Sequence, residues 1–164
     1  MRIGIGGCSC SGKTTLAEAL AWHYRTLNKT AIVLHQDDFV RRTSDIPRIK
    51  DRTDWETPAS IDLGRLDLAV RFFEQHFEVV LVEGLFAFAD AALGQSYDFS
   101  FFVEITQSTF QTRRTSATRW GAEPDWFVQH VWDSFLKYGQ PTASAIRVSG
   151  EQPFDVKAIA PVLG

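Results

Sequence analysis

The sequence predicts an α/β fold, in which helices cover both faces of a mostly parallel, five-stranded sheet to give a three-layer sandwich. Three runs, at 2–6, 31–35 and 79–84, are apolar at consecutive positions, which is typical of strands buried on both faces of a parallel sheet. Two stretches between them repeat apolar residues at helical spacing. Strands that alternate with helices form right-handed βαβ units, so helices are expected on both sides of the sheet.

The remaining elements follow from the same two patterns. Five strands are expected, at 2–6, 31–35, 79–84, 98–105 and 144–148. Helices are expected at 14–27 and 61–77, and across 106–138 with a break at "WGAEP". A polar connection, 36–60, contains Pro47 and Pro58 and is longer than an ordinary loop. Because it also carries Phe39 and Trp55, we expect a functional, substrate-binding loop rather than a disordered one.

Composition indicates a single domain over 1–164, since 164 residues with 45% hydrophobic and 23% charged content can bury a real core. The net charge of -3 gives no basic field for nucleic acid, and no apolar run approaches the roughly 20 residues of a membrane span. The opening "MRIGIGG" is too short and too rich in glycine for a signal peptide, so we expect a cytoplasmic protein. A monomer or a small homo-oligomer is expected.

Residues 7–14, "GCSCSGKT", match the pattern G-x-x-x-x-G-K-[ST] directly after the first strand and directly before the first helix. There, backbone N–H groups and the positive end of the helix cradle a phosphate chain, while Lys13 reaches the outer phosphates and the Thr14 hydroxyl holds Mg²⁺. Gly7 and Gly12 let the loop fold tightly around the anion. The fold is therefore predicted to be of the P-loop NTPase type; the alternative is a chance match on an ordinary turn. The predicted nucleotide-binding residues here are Gly7, Cys8, Ser9, Cys10, Ser11, Gly12, Lys13, Thr14 and Thr15.

Cys8 and Cys10 occupy unrestricted positions of the motif, and we interpret them as reduced thiols without redox chemistry. The motif indicates only that a nucleoside triphosphate binds. Transfer of the terminal phosphate to water would make the protein an ATPase or a switch, whereas transfer to a small-molecule hydroxyl would make it a kinase.

Three acids follow the ends of predicted strands. Asp37 and Asp38 come after the strand at 31–35, and Glu83 ends the strand at 79–84. In a parallel sheet, ligands bind beyond the carboxyl ends of the strands, where a carboxylate can accept the proton of an attacking hydroxyl or help to hold Mg²⁺. The alternatives are an Asp that caps the following turn and a solvated Glu at the strand end. We expect one of the two aspartates to be functional and the other structural.

Arg113, Arg114 and Arg119 lie on a predicted helix ahead of a Gly/Pro break, in a segment of about 110–128 that fits a short helical lid. Guanidinium groups over the phosphates would neutralise charge in the transition state and exclude water. A solvated basic face is the alternative for any single arginine.

Six motifs occur in a fixed order: "GCSCSGKTT", "HQDDF", "DWETPASID", "LVEGLFAF", "TRRTSATR" and "HVWDSFLKY". With them the chain resembles the uridine kinase-like group of P-loop kinases, and within that group the nicotinamide riboside kinases, over roughly 3–150. The resemblance implies ATP-dependent phosphorylation of the ribose 5′-hydroxyl of nicotinamide riboside in NAD biosynthesis, with Mg²⁺ as cofactor. Nicotinic acid riboside is a further candidate acceptor.

For the acceptor, the resemblance implies a role for each matching residue. Asp37 is the catalytic base and lies close to Mg²⁺, while Phe39 and Val40 line the riboside pocket. Trp55 stacks on the pyridine ring, and Glu56 accepts hydrogen bonds from the ribose 2′ and 3′ hydroxyls. A cationic pyridinium also favours an indole face on physical grounds, by roughly 1–2 kcal/mol when desolvated. The alternative for Trp55 is a loop aromatic packed on the core.

For ATP, the resemblance implies that Glu83 belongs to the metal shell and that Arg113 and Arg114 reach ATP and the substrate. Ser149 and Gly150 match the loop that touches adenine. The implied metal ligands are Thr14, Asp37 and Glu83, and the implied catalytic residues are Lys13, Asp37 and Glu83. Asp38 is expected beside the substrate, where it supports the loop.

The chain departs from the family pattern at two of these positions. Four residues, "TSAT", separate Arg114 from Arg119, which puts the role of Arg119 in doubt, and the ribose position holds Glu56 where Asp is more usual. Two other functions stay open. "DWETPASID" also resembles the substrate loop of uridine/cytidine kinases, and an ATP-binding regulatory or switch protein would need the P-loop alone.

Overall fold

The computed structural model describes residues 1–118 and 121–161. Its strands are β1 (Arg2–Gly7), β2 (Ala31–His35), β3 (Arg48–Ile49), β4 (Arg52–Thr53), β5 (Val79–Glu83), β6 (Phe99–Glu104) and β7 (Ile146–Ser149). Its helices are α1 (Lys13–Thr26), α2 (Leu63–Phe73), α3 (Ala91–Gln95), α4 (Gln107–Ser116), α5 (Asp125–Tyr138) and α6 (Val156–Ile159). None of these helices is long and apolar enough to cross a membrane.

The main sheet has five strands in the order β2-β5-β1-β6-β7, and every neighbouring pair is parallel. The predicted α/β fold is therefore confirmed. The carboxyl ends of β1, β2 and β5 lie side by side at one edge of the sheet. The P-loop, the acids after β2 and the end of β5 consequently meet there.

Helices cover both faces of this sheet because successive side chains of its buried strands point to opposite sides. In β5, Val79 and Leu81 pack with α1, whereas Val80 and Val82 pack with α2. A third apolar cluster joins β6, α4 and α5 through Phe102, Phe110, Phe127, Val128, Val131 and Phe135.

The elements differ from the expected ones mainly at their ends. Helix α2 is shorter than the predicted 61–77, since the Asp62 side chain accepts a hydrogen bond from the Arg65 N–H and fixes the start of the helix. Helix α3 was not expected. It has only five residues, too few for a periodic pattern, and the Asp90 side chain caps it through the Leu93 N–H. Inside the substrate loop, β3 and β4 form a small antiparallel hairpin that the sequence pattern did not predict.

Candidate active site

The P-loop turns sharply from β1 into α1, and two glycines make this turn. Gly12 stands at the start of α1 with φ 98°, a left-handed conformation that favours glycine. A Cβ atom on Gly7 would lie 2.6 Å from the Val103 carbonyl oxygen. The loop can therefore wrap closely around a phosphate group at the positive end of the helix.

The two cysteines of this loop differ in how deeply they are buried. Cys8 is buried in the cluster that contains Phe102 and Phe110, and burial raises the pKa of its thiol to about 12. Cys10 is half-buried, and its sulfur lies 3.8 Å from Ser9 Oγ. At neutral pH the Cys8 thiol is protonated and a poor nucleophile, which agrees with the interpretation of this residue as reduced and without redox chemistry.

A cavity of about 300 Å³ opens beside the P-loop at the carboxyl edge of the sheet. It is lined by Ser9, Lys13, Asp37, Val40, Trp55, Glu56, Ser60, Ile61, Leu85, Phe86, Arg114, Glu123 and Phe127. Most of the predicted acceptor-binding residues thus meet the P-loop lysine in one place. We refer to this space as the acceptor cavity.

Asp38 and Phe39 do not line the acceptor cavity. The Asp38 side chain is exposed, and Phe39 packs against the apolar cluster of β2 and α2 that includes Leu34 and Leu66. The different directions of the Asp38 and Phe39 side chains follow from the short 3₁₀ turn at Gln36–Phe39. Asp37 is also exposed, but of the two acids only Asp37 lines the cavity, and the division into one functional and one structural aspartate stays a prediction.

Glu83 is buried, with only 5% of the residue exposed, so the alternative of a solvated acid at the strand end is wrong. Its Oε1 lies 2.8 Å from Nδ1 of His35, while its Oε2 is buried without a hydrogen-bond partner among the described residues. Glu83 is not among the described residues that line the acceptor cavity. A buried carboxylate oxygen with no partner is costly, which makes this atom a candidate for binding a cation.

His35 is a residue of the site for which the sequence analysis gave no role. Its Nδ1 faces Glu83, and its Nε2 lies 3.4 Å from Oε1 of Glu18 on α1. Burial lowers the pKa of His35, but the hydrogen bond and charge of Glu83, together with Asp38 and Glu18, outweigh burial and raise it. The sequence signal that could have identified His35 was an imidazole at the end of an apolar strand, two residues before Asp37.

Gln36 is a second residue that was missed. It is buried, and its Oε1 accepts a hydrogen bond of 2.8 Å from the Phe86 N–H. A Cβ atom on Gly84 would lie 2.3 Å from the same oxygen, so the glycine after Glu83 is needed to let this amide approach. Gln36 thereby ties the segment after β2 to the segment after β5.

Arg114 is buried, with 5% exposed, which excludes the solvated basic face as its explanation. It donates hydrogen bonds from Nε and Nη2 to the two carboxylate oxygens of Glu123, at 2.7 and 2.8 Å, and from Nη1 to Ser9 Oγ at 2.7 Å. It thus connects the segment between α4 and α5 to the P-loop. Glu123 was not predicted, since an acid in a short Gly/Pro-rich stretch gives no signal of the arginine it will meet.

Glu56 lies on the wall of the acceptor cavity, with Oε1 4.0 Å from Nη2 of Arg114. Burial raises the pKa of Glu56 to about 7, against the lowering effect of the charges on Arg114 and Lys13. Trp55 is 42% exposed and lines the same cavity, so it is not a loop aromatic packed on the core.

The loop that carries these two residues is fixed to α5. Nε2 of His130 lies 2.8 Å from Oδ1 of Asp54, which also accepts a hydrogen bond from the Glu56 N–H. The hairpin just before it adds cation–π contacts, with Lys50 over Trp126 and Arg52 over Phe127.

A second cavity, of about 440 Å³, is also lined by residues of the P-loop. It is lined by Ser11, Gly12, Thr15, Ala19, Arg113, Gly150, Glu151, Gln152, Pro153 and Phe154. Arg113 crosses it by donating hydrogen bonds to the carbonyl oxygens of Cys10 and Gly150, at 3.0 and 2.9 Å. The second cavity thus brings together five predicted ATP-binding residues, namely Ser11, Gly12, Thr15, Arg113 and Gly150.

The remaining predicted residues line neither cavity. Thr14 is exposed in the first turn of α1, and Ser149 is exposed at the end of β7, next to Gly150. Arg119 lies outside the described residues.

Eight curated proteins match the sequence, and all eight are nicotinamide riboside kinases. The protein of Eremothecium gossypii is 24% identical over 81% of this chain and 73% of its own length. Nicotinamide riboside kinase 1 of Homo sapiens is 26% identical over 84% of this chain and 76% of its own length. No protein-family model matches the chain.

Solved structures with the same fold are also kinases by description. A protein of Silicibacter sp. TM1040, described provisionally as a fructose transport system kinase, gives a TM-score of 0.69 at 17% identity, covering 88% of each chain. A possible uridine kinase of Bacillus stearothermophilus gives 0.60 at 17% identity, covering 88% of this chain and 85% of its own. The structural comparisons thus confirm the fold of the P-loop kinases, and the sequence comparisons confirm the resemblance to nicotinamide riboside kinases.

Proposed function

We propose that this protein catalyses the ATP-dependent phosphorylation of the ribose 5′-hydroxyl of nicotinamide riboside, giving the mononucleotide in NAD biosynthesis. The observation that carries the proposal is the acceptor cavity, which is lined by the P-loop Lys13 together with Asp37, Trp55 and Glu56. The eight curated relatives of the same name support it. Nicotinic acid riboside is proposed as a second acceptor.

Asp37 is proposed as the general base of this reaction. It extends into the acceptor cavity together with Lys13, so a hydroxyl held between them would face both a proton acceptor and the phosphate-binding loop. Lys13 would offset the charge that develops on the transferred phosphoryl group, and Arg114, which lines the same cavity, would add a second positive charge.

The nicotinamide riboside itself is proposed to bind through Trp55 and Glu56. The indole face of Trp55 suits a cationic pyridinium ring, and a single carboxylate can accept hydrogen bonds from two adjacent ribose hydroxyls. Both side chains line the same cavity and are held by one short loop. Val40, Ile61 and Phe127 add apolar wall area next to them.

The oxygen-bearing side chains at the carboxyl ends of the strands are suitable ligands for Mg²⁺. Among the residues that the structure describes, no group of three or more His, Cys, Asp or Glu side chains could hold a metal. Proteins usually hold Mg²⁺ through one or two carboxylates together with water and the phosphates of the substrate, so a larger cluster of acids is not required. Thr14, Asp37 and Glu83 are the residues proposed to hold it, and the buried, unpartnered Oε2 of Glu83 is the observation in favour. When bound, the ion would neutralise charge on the phosphates.

ATP is proposed to occupy the P-loop with its base in the second cavity, between Arg113 and the loop at 150–154. Both substrates are small molecules, and we propose no nucleic-acid or membrane partner. We propose that the reaction takes place in the cytoplasm.

A phosphate-transfer screen tests the proposal. Purified protein is incubated with ATP and Mg²⁺ and with nicotinamide riboside, nicotinic acid riboside, uridine or cytidine, and the products are separated by chromatography. We expect the pyridine mononucleotides as the main products. Turnover of uridine or cytidine with none of nicotinamide riboside would replace the proposal with a uridine/cytidine kinase, and hydrolysis of ATP without any transfer would favour a regulatory protein.

A further inference from the structure

The Arg114 guanidinium group is near two acids, Glu123 and Glu56, and it is much closer to Glu123. Glu123 holds Nε and Nη2 in a bidentate pair at 2.7 and 2.8 Å, whereas Glu56 stands 4.0 Å from Nη2. Bidentate contacts between arginine and carboxylate are stronger and more strictly oriented than single contacts. Glu123 therefore decides which way the guanidinium faces.

Burial strengthens the electrostatic interactions among these three side chains. The side chains of Arg114, Glu123 and Glu56 are 3%, 8% and 13% exposed, so water screens their charges only weakly. Glu56 Oε1 is already 4.0 Å from Nη2, so without Glu123 the guanidinium can turn toward Glu56. The Glu56 oxygens would then receive guanidinium hydrogen bonds and would be less available to a ligand.

Among the described residues, the charged groups with the largest effect on the pKa of Glu56 come from several elements. Arg114 of α4 and Lys13 of the P-loop attract its negative charge, while Asp54 of its own loop and Asp37 after β2 repel it. Lys13 and Asp37 have roles in the proposed reaction. Arg114 is thus the cation near Glu56 whose orientation can be changed through Glu123 while Lys13 and Asp37 keep their side chains.

We propose that Glu123 is a positioning residue that keeps the carboxyl group of Glu56 available for the adjacent hydroxyls of the acceptor, by holding Arg114 against Ser9. The inference rests on the proposed function in one respect, since it takes the acceptor to be a riboside. It adds that a group on the segment between α4 and α5 sets the preference of the cavity for a ribose over a 2′-deoxyribose.

The test uses Glu123→Gln in the full chain, with Asp125→Asn, an exposed acid two residues away, as the matched control. The first readout is the titration of Glu56 in the ligand-free protein, followed by NMR of its side-chain carboxyl carbon. Because Arg114 can turn to Glu56 in the variant, we expect the pKa of Glu56 to fall well below the wild-type value of about 7. An unchanged titration would overturn the inference, whatever the substrate proves to be.

The second readout compares kcat/KM for the best riboside of the screen with that for its 2′-deoxy analogue. We expect the preference for the riboside to fall about tenfold in Glu123→Gln and to stay unchanged in Asp125→Asn, because an effect of Arg114 on the phosphoryl group is shared by both substrates and cancels in their ratio. An equal loss on both substrates would show a merely structural role and would overturn the inference. If Glu123→Gln does not fold, Glu123→Asp takes its place, with both changes expected in the same direction but smaller. Failure of nicotinamide riboside in the screen would refute the proposed function and leave the NMR test of Glu123 intact.

Discussion

Nδ1 of His35 lies 2.8 Å from Oε1 of Glu83, and the two residues are direct partners in the register of β2 and β5. This ring holds a buried carboxylate whose second oxygen has no partner among the described residues. His35→Leu should therefore lower the free energy of unfolding by about 1–3 kcal/mol, since a buried polar group loses its partner. Urea denaturation measures this, with the exposed His76→Leu as control.

The contribution of His35 should also depend on pH. Its pKa is raised in the folded protein, so the protonated ring stabilises the fold fully below the unfolded value of about 6.5 and less as pH rises through the folded value. The difference in unfolding free energy between wild type and His35→Leu should thus shrink between pH 6 and pH 9. A difference that stays constant over this range would contradict the role of charge in this contact.

Asp37 and Asp38 should respond very differently to the loss of charge. Asp37 faces the acceptor cavity, so Asp37→Asn should reduce kcat by roughly 10²–10⁴-fold, as expected for a general base. Asp38→Asn, the matched change at the next residue, should alter kcat by less than about threefold, because Asp38 is exposed outside the cavity. Steady-state kinetics of both variants with the best riboside decide the point. An Asp37→Asn enzyme that keeps its kcat for the riboside would refute the role of Asp37 as general base.

Much of the fold could be predicted because it depends on local patterns. The apolar run of β5 has buried side chains on both faces, and the G-x-x-x-x-G-K-T motif requires the turn that Gly12 makes at the start of α1. These features need only neighbours in sequence. The hairpin of β3 and β4 was missed because each strand has two residues and neither makes a recognisable pattern.

The parts of the site that could not be predicted depend on contacts between distant residues. His130 and Asp54 are 76 positions apart, and Arg114 meets Ser9 across 105 positions. Their pairing follows from the way α4 and α5 fold back over the sheet, which no local pattern encodes. The contacts of Glu123 were missed for the same reason, although the arginine that it binds was predicted.

Glu56 should change the pH dependence of both catalysis and stability. Burial raises its pKa to about 7, so the ionised form that accepts two hydroxyl hydrogen bonds appears only near neutral pH. We expect kcat/KM for the riboside to rise between pH 6 and 8, and this rise to be lost in Glu56→Gln. A profile that is the same in both proteins would assign the titration to another group.

The raised pKa of Glu56 also determines how the free energy of unfolding changes with pH. An acid with a raised folded pKa binds its proton more tightly in the native state, so its ionisation destabilises the fold as pH rises from about 4.5 to 7. Relative to Glu56→Gln, the wild type should lose at most about 3 kcal/mol of unfolding free energy over that interval. Urea denaturation at pH 5 and pH 8 measures this difference.

Gly84 should tolerate no side chain. A Cβ atom there would lie 2.4 Å from Cβ of Gln36 and 2.3 Å from its Oε1, in a buried position. Gly84→Ala should therefore cost about 1–3 kcal/mol through overpacking. Gly64→Ala is the control, since its added Cβ would meet only Asp62 Oδ1 at 3.6 Å, an ordinary contact. Thermal denaturation compares the two, and equal melting temperatures would mean that the Gln36 side chain can move aside.

The contact between His130 and Asp54 should affect the acceptor rather than ATP. Asp54 also accepts a hydrogen bond from the Glu56 N–H, so loss of the ring in His130→Ala should loosen the loop that carries Trp55 and Glu56. KM for the riboside should rise about tenfold while KM for ATP stays unchanged, because the ordering of the loop would then have to occur on binding. Gln129→Ala, an exposed neighbour on the same helix, is the control. A parallel rise in both KM values would instead point to a general loss of structure in α5, whose apolar face packs against β6 and α4.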